Sequence, residues 1–368
     1  MLIRNNQISK RQVRLLLILQ MFSTPILMLP RVMARTVNQD GWLIPVLGLL
    51  VGYVYLYLIT NLTKEFPGQT ISEFAPIIVG KILGNTIVIL LGLKILITTA
   101  FELRLLCEIV KQILLPNTPT GVVMMVMLFT ASYLAGAGIE AYGRMGELLV
   151  FVVFIPLAIV ASFIVVKADY RQLLPVFQSA PMDIARATYY ISLTLMPLEF
   201  MLLFTGFMRE PDKAESTCRW AILVIFIIQV ISIMLTYVGI GVIEAKRNFW
   251  PILTLVQNIQ FPGAFIENQE IAMISCWIIS IFMYISGGIY SISLIGGRTL
   301  KLEKDSFFIL PFIPIIYILA MMPSSFGQVY KWNNIFRIYT GAIFLLPIPL
   351  ILLIITRIQK RGNGHEEK

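Results

Sequence analysis

Apolar residues run along this chain in blocks of near membrane-spanning length, separated by short polar stretches where Lys and Arg collect. A helix needs roughly 20 mainly apolar residues to cross a hydrocarbon core of about 30 Å. The pattern predicts ten spans, near 13–33, 42–62, 85–107, 120–138, 147–166, 188–207, 220–243, 271–295, 307–323 and 336–356. The first and sixth carry proline within the apolar block, at corresponding places in the two halves. The expected fold class is therefore all-α integral membrane, ten helices in a five-plus-five inverted repeat with helices 1 and 6 broken, an arrangement that places a binding site near the bilayer midplane. A membrane domain over 1–358 and a short charged tail over 359–368 account for the whole length.

Composition supports the span count. The chain is 58% hydrophobic and 13% charged, with a mean hydropathy of +0.83, whereas soluble domains are about 45–50% apolar and about 25% charged. The excess apolar surface faces lipid. The net charge of +9 does not indicate nucleic-acid binding, because the basic residues sit at block ends and no polar surface is left to carry an electrostatic footprint. They report topology and contact with anionic membrane lipid. About 17 Lys and Arg fall on the N-terminal side and about 10 on the other, which predicts both termini in the cytoplasm. The first block lacks a small-residue cleavage site behind it and is expected to be a retained span.

Several chemistries lose their usual residues. Cys107, Cys218 and Cys276 are far apart with no C-x-x-C pair, so neither a zinc site nor a disulfide framework is expected. The lone histidine, His365, lies in the tail, which removes the commonest general base and metal ligand from the membrane core. No P-loop, nucleophile elbow, metal motif or dinucleotide fingerprint occurs. The expectation is a non-enzyme without cofactor or metal.

Polar residues inside the spans carry the functional reading. In Met21-Phe22-Ser23-Thr24-Pro25, Pro25 lacks an N–H and its ring clashes one turn back, so the helix should kink or open near Met21 to Thr24. Opened backbone in a membrane is tolerated only beside a cavity or inside protein; a kink that merely shapes packing is the plainer alternative. The sixth span places Leu195, Pro197 and Glu199 together, and a mid-membrane charge costs about 2.5–3.5 kcal/mol on insertion scales, so Glu199 should face the interior. In the third span Arg104, Glu108 and Lys111 are spaced i, i+4, i+7 and can form a structural ladder of ion pairs. Lys94, Thr98 and Glu102 run along a second face, where Glu102 either meets a ligand or coupling ion or locks the span to a neighbour. In the eighth span Gly287 and Gly288 permit close backbone approach, while Ser286 and Tyr290 present hydroxyls on one face. These serve a ligand or close helix packing. Residues 244–270, with Trp250, Leu253, Val256, Ile259 and Phe261, read as an amphipathic segment on the membrane interface or as an ordinary long loop. Gly143 to Glu147 reads as a hinge or ion-pair anchor.

The third-span string from Ala100-Phe101-Glu102-Leu103-Arg104 through Glu108 and Lys111, followed by Leu114, Leu115, Thr118 and Pro119, resembles the spore germination permeases, the B subunits of GerA-type nutrient germinant receptors in the amino acid–polyamine–organocation superfamily. Leu29-Pro30-Arg31, Asp40-Gly41-Trp42, Leu174-Pro175-Val176, Trp250-Pro251 and Phe265-Ile266-Glu267 add weaker matches, so that the resemblance runs over nearly the whole chain. It implies a transporter-like fold used as a nutrient sensor in the spore inner membrane, working with an A subunit and a lipoprotein C subunit. By position, its ligand-binding residues would be Ser23, Thr24, Pro25, Phe101, Glu102, Leu195, Pro197, Glu199, Ser286 and Tyr290. Many relatives carry Gly-x-Gly where this chain has Ser23-Thr24-Pro25. Pro25 offers no N–H to a carboxylate, which leaves a sugar, a nucleoside, an ion or a differently held amino acid as ligand classes. The competing expectation is a proton- or sodium-coupled secondary transporter of amino acids or similar solutes, with Glu102 or Glu199 in the coupling role.

Overall fold

The computed structural model describes residues 6–258, 269–302 and 305–366, without the side chains at 24, 25, 167, 269, 305 and 361–366. The described residues are built from helices and their connections. The first span is two helices, α1 (Lys10–Phe22) and α2 (Thr24–Val37). Next come α3 (Ile44–Lys64), the short α4 (Ile71–Val79), α5 (Lys81–Ile113), α6 (Thr120–Gly136) and α7 (Ile139–Lys167). The second half contains α8 (Pro181–Ser192), α9 (Met201–Phe204), α10 (Ala214–Ile240), α11 (Val242–Arg247), α12 (Pro251–Gln257), α13 (Gln269–Thr299), α14 (Ile309–Met321), α15 (Phe326–Thr340) and α16 (Pro347–Glu366).

Six of these stretches are long and apolar enough to cross a membrane, and eight if each of two bent helix pairs counts as one. With α6 and α16 they make ten, α14 and α15 forming a ninth span bent by 113° and α16 the tenth, and the molecule is an integral membrane protein. The tenth differs from its expected bounds of 336–356. α15 stops at Thr340, residues 341–346 turn, and α16 starts at Pro347. Gly341 permits the turn to sit close: a Cβ there would lie 2.4 Å from the Arg337 carbonyl and 2.5 Å from Leu193. α16 then stays helical across the 358/359 boundary expected for a separate tail.

Local chemistry sets the ends of the elements. Ser9 caps α1 in a reciprocal box with Gln12, which satisfies two otherwise orphaned donors. The segment before it is stitched to the end of the sixth span, Ile8 N–H donating to the Phe207 carbonyl at 2.8 Å and Arg209 N–H to the Ile8 carbonyl at 3.0 Å. At the opposite end, the Asp40 carboxylate accepts from the backbone N–H groups of Phe177, Gln178 and Ser179 at 2.5, 2.9 and 2.9 Å. That fastens the loop after α7 to the end of the first span.

The 244–270 segment differs from the interfacial reading. Over its described part, α12 buries Ile252, Leu253, Leu255 and Val256 inside the protein, and Trp250 packs its ring 5.2 Å from Phe326. The apolar stripe that suggested a membrane surface is spent on protein packing. Ile259 and Phe261, like the Phe265-Ile266-Glu267 match, lie outside the described residues.

Candidate functional site

The site forms where the first span breaks. α1 ends at Phe22, α2 starts at Thr24, and the two arms bend by 54°. Pro25 falls in the first turn of α2, where its missing N–H is tolerated and its fixed φ suits a helix start. Ser23 lies between the arms with its hydroxyl donating to the Gln20 carbonyl at 2.9 Å. The side chains of Thr24 and Pro25 are outside the described set.

The sixth span interrupts differently. From Pro181 to Phe207 it runs as one course, but Leu193–Phe200 winds as a 3-10 helix around Pro197. Eight residues exceed the three or four usual for such winding, and mid-helix 3-10 often marks a functional hinge. At three residues per turn this segment sends Leu195 against α3, where it would meet a Cβ on Gly52 at 2.9 Å, and turns Pro197 the other way.

A small cavity of about 10 Å³, room for about one water, lies between these two interruptions and is lined by Ser23, Thr98, Glu102, Met196, Pro197, Tyr284 and Arg337. Arg337 separates it from a second cavity of about 80 Å³ between α2, α8 and α15, lined by Met28, Leu29, Val32, Tyr190, Leu193, Thr194, Tyr330, Asn333, Asn334 and Arg337. The Arg337 guanidinium lies 3.7 Å from the Glu102 carboxylate and donates to the Leu193 carbonyl at 3.1 Å. It therefore ties the third and sixth spans to α15 where the two cavities meet.

Beside the small cavity sits a fully enclosed charge pair. Lys94 and Glu199 are bonded directly, with side chains 3% and 1% exposed. Lys94 also donates to the Gly341 carbonyl at 3.4 Å and lies 5.4 Å from the Phe344 ring centroid. The turn between α15 and α16 thus supplies both an open carbonyl and an aromatic face to the buried cation.

The remaining candidates distribute as follows. Ser23, Glu102 and Pro197 come together at the small cavity. Glu199 is engaged by Lys94. Phe101 faces α15, its ring 6.1 Å from Phe336, because it stands about 100° around the helix from Glu102. Ser286 is fully buried and donates to the Phe282 carbonyl of its own helix at 2.7 Å. Tyr290 packs 6.3 Å from Phe207 at the far end of the sixth span. Gly287 and Gly288 serve contact between helices: a Cβ on Gly287 would lie 2.4 Å from the Tyr142 hydroxyl, and one on Gly288 2.2 Å from Thr99 Oγ1. Of the expected ladder, Arg104 pairs with Glu108 at 2.7 Å, whereas Lys111 is exposed near the helix end and, among the described residues, has no ion pair. Among those residues no three His, Cys, Asp or Glu side chains group so as to hold a metal.

Met196, Tyr284 and Arg337 were not singled out by the sequence. Thr98 was placed on the Lys94–Glu102 face, without a role of its own. Arg337 falls at the start of the expected tenth span, 336–356, where a basic residue reads as an end-of-span charge.

A family model described as "Spore germination protein" matches residues 7–329. Spore germination protein YndE of Bacillus subtilis (strain 168) is 27% identical over 97% of this chain and 98% of its own length. Spore germination protein A2 of the same organism is 28% identical over 93% of each, and GerLB of Bacillus cereus is 25% identical over 92% of this chain and 91% of its own. Among solved structures, the nucleobase-cation-symport-1 family transporter Mhp1, in a closed conformation with bromovinylhydantoin bound, superposes with a TM-score of 0.67 over 94% of this chain and 77% of its own at 13% identity. The fold is that of a membrane transporter.

Proposed function

We propose that this chain, which belongs to the spore germination protein family, is the nutrient-sensing membrane subunit of a germinant receptor. A small nutrient enters from the cavity between α2, α8 and α15, displaces Arg337 from Glu102, and reaches the broken first span. Ser23, Thr98, Glu102, Pro197, Tyr284 and Arg337 meet it there, and Thr24 and Pro25 supply the opened backbone. The carrying observation is that one side chain, Arg337, lines both cavities while paired with a carboxylate of the third span. An ion pair at a cavity boundary is a two-state element that a polar ligand can bias. The relatives' names favour sensing over bulk transport.

In this reading the chain performs no chemistry of its own, sits in the spore inner membrane with both termini cytoplasmic, and relays occupancy to the A and C subunits of the receptor. The test is to replace Glu102 with Gln in spores and follow optical density during exposure to single nutrients. Loss of response to one nutrient class, with normal spore formation and normal membrane levels of the protein, is the expected result. An unchanged response to every nutrient sinks the assignment of Glu102 to sensing.

A secondary transporter is the second reading. The likeness to a transporter fold and the buried Lys94–Glu199 pair favour it, since intramembrane carboxylates commonly relay protons. Gradient-driven solute uptake into liposomes by the purified chain would support this reading against pure sensing.

A further inference from the structure

A cavity larger than these two lies away from the candidate site. It occupies about 610 Å³ between α7, α10, α12 and the junction of α1 with α2. Its floor is buried and includes Phe22, Ile26, Leu235 and Val256. Its lip includes Val165, Ile231 and Tyr170, each about half exposed. Among the described residues no charged side chain lines it. Most wall hydroxyls are satisfied by their own helices or connections: Ser162 donates to the Ile159 carbonyl at 2.7 Å, Thr236 to the Ser232 carbonyl at 2.7 Å, and Tyr170 to the Val165 carbonyl at 3.2 Å. Ser232 Oγ differs, having no partner among the described residues.

Such walls offer a polar nutrient almost nothing to bind, and apolar cavities of this kind do not hold water. Left empty, the space would forfeit the dispersion contacts of its whole lining. The opening supplies the missing occupant. Its lip continues into apolar surface on the same two helices, where Ile155 and Ile159 of α7 and Ile227 of α10 are exposed. In a membrane-spanning bundle that surface meets lipid. Tyr170 stands just beyond the end of α7, at the level where amphipathic rings favour the headgroup boundary.

We infer that one phospholipid acyl chain of the surrounding bilayer enters this cavity, with its headgroup near Tyr170 and its tail against Phe22 and Ile26. Those two residues flank Ser23, so the chain packs against both arms of the broken first span. Phe22 is already held edge-on by Phe154 of α7, ring centroids 4.9 Å apart. The acyl chain completes that packing on the side away from the nutrient cavities.

The full chain is reconstituted in vesicles containing phosphatidylglycerol with a diazirine midway along one acyl chain, irradiated, and its labelled peptides are mapped by mass spectrometry. Phe154, Ile228 and Leu235 should label several-fold more than Ile155, Ile159 and Ile227 on the open face. Ala161→Phe, and independently Ala158→Phe, should reduce the cavity labels several-fold and spare the open-face labels. Glu102→Gln should leave the pattern unchanged, which separates this inference from the nutrient-sensing reading. Cavity labelling no higher than that of the open face overturns the proposal even in the wild-type chain. Displacement of the label by a short-chain alcohol also overturns it, in favour of a site for small apolar solutes.

Discussion

Lys94 and Glu199 form an ion pair between the third and sixth spans with both side chains almost wholly enclosed. Neither charge reaches solvent, and a lone buried charge is heavily penalised. Each is tolerable because the other is there, and because the Gly341 carbonyl accepts a further hydrogen bond from the ammonium. The pair thereby fixes the register of the interrupted sixth span, and of the turn between α15 and α16, against the continuous third.

Removing one partner of this pair should cost more than removing both. Glu199→Gln or Lys94→Met alone strands a buried charge or polar group and is expected to lower stability by about 3–5 kcal/mol. The double replacement Lys94→Met with Glu199→Gln should lose clearly less than the sum. Thermal unfolding of the four proteins in one detergent closes the cycle. Additive losses would show that the two residues are not coupled.

Close approach of α13 to α5 depends on Gly288. A Cβ at this position would meet Thr99 Oγ1 at 2.2 Å, and the β-branched Thr99 has little freedom to swing away. Gly288→Ala should therefore destabilise by about 1–3 kcal/mol, as overpacking does. Adding Thr99→Ala removes the obstructing oxygen and should recover much of that loss. Equal melting temperatures for wild type and Gly288→Ala would mean the two helices are not so tightly apposed.

The sequence disclosed the interruptions that proline marks and concealed the one that it does not. Pro25 and Pro197 stand within apolar blocks, so the first and sixth spans announced their breaks. The turn at 341–346 reads Gly-Ala-Ile-Phe-Leu-Leu, which hydropathy cannot distinguish from a continuing span, although Gly341 and Pro347 bracket it. Within the site, Glu102 was legible because a mid-span carboxylate needs a partner, but that partner was not. Arg337 lies over 200 residues away and reached the site only through the fold. Leu195 was carried over by position from the family resemblance, and the 3-10 winding of Leu193–Phe200 sets it against Gly52 of α3. For Ser286 the sequence left a ligand and close helix packing open, and in the structure its hydroxyl donates to an i−4 carbonyl, a local bond open to a serine inside a helix.

Asp40 should be worth more to its loop than to the helix that bears it. Its carboxylate satisfies three successive backbone N–H groups, at Phe177, Gln178 and Ser179. Asp40→Ala leaves those donors to compete for water in a confined place, at a cost of about 1–3 kcal/mol. Limited proteolysis of the chain in vesicles should then cut within 174–180, where wild type resists. Wild-type resistance in the variant would mean that the loop is held by its other contacts.

Glu102 and Arg337 should act as a gate between the two cavities. Their separation of 3.7 Å is at the long end for an ion pair, and Arg337 keeps a second bond to the Leu193 carbonyl, so breaking the first contact need not unfold the region. Ser23 lies beyond the pair, on the wall of the inner cavity. In a chain whose Cys107, Cys218 and Cys276 are replaced by Ala, Ser23→Cys should react slowly with a membrane-impermeant thiol reagent. Adding Glu102→Gln removes the carboxylate's charge and should speed that reaction about tenfold, which corresponds to about 1.4 kcal/mol of gating bias. Arg337→Gln should do the same, since either change releases the same contact. A cysteine placed at Tyr330, on the outer cavity alone, should react at one rate in all backgrounds and so reports any general loosening. If Ser23→Cys reacts equally fast with the pair intact, Arg337 does not close the passage, and entry to the broken first span must follow another route.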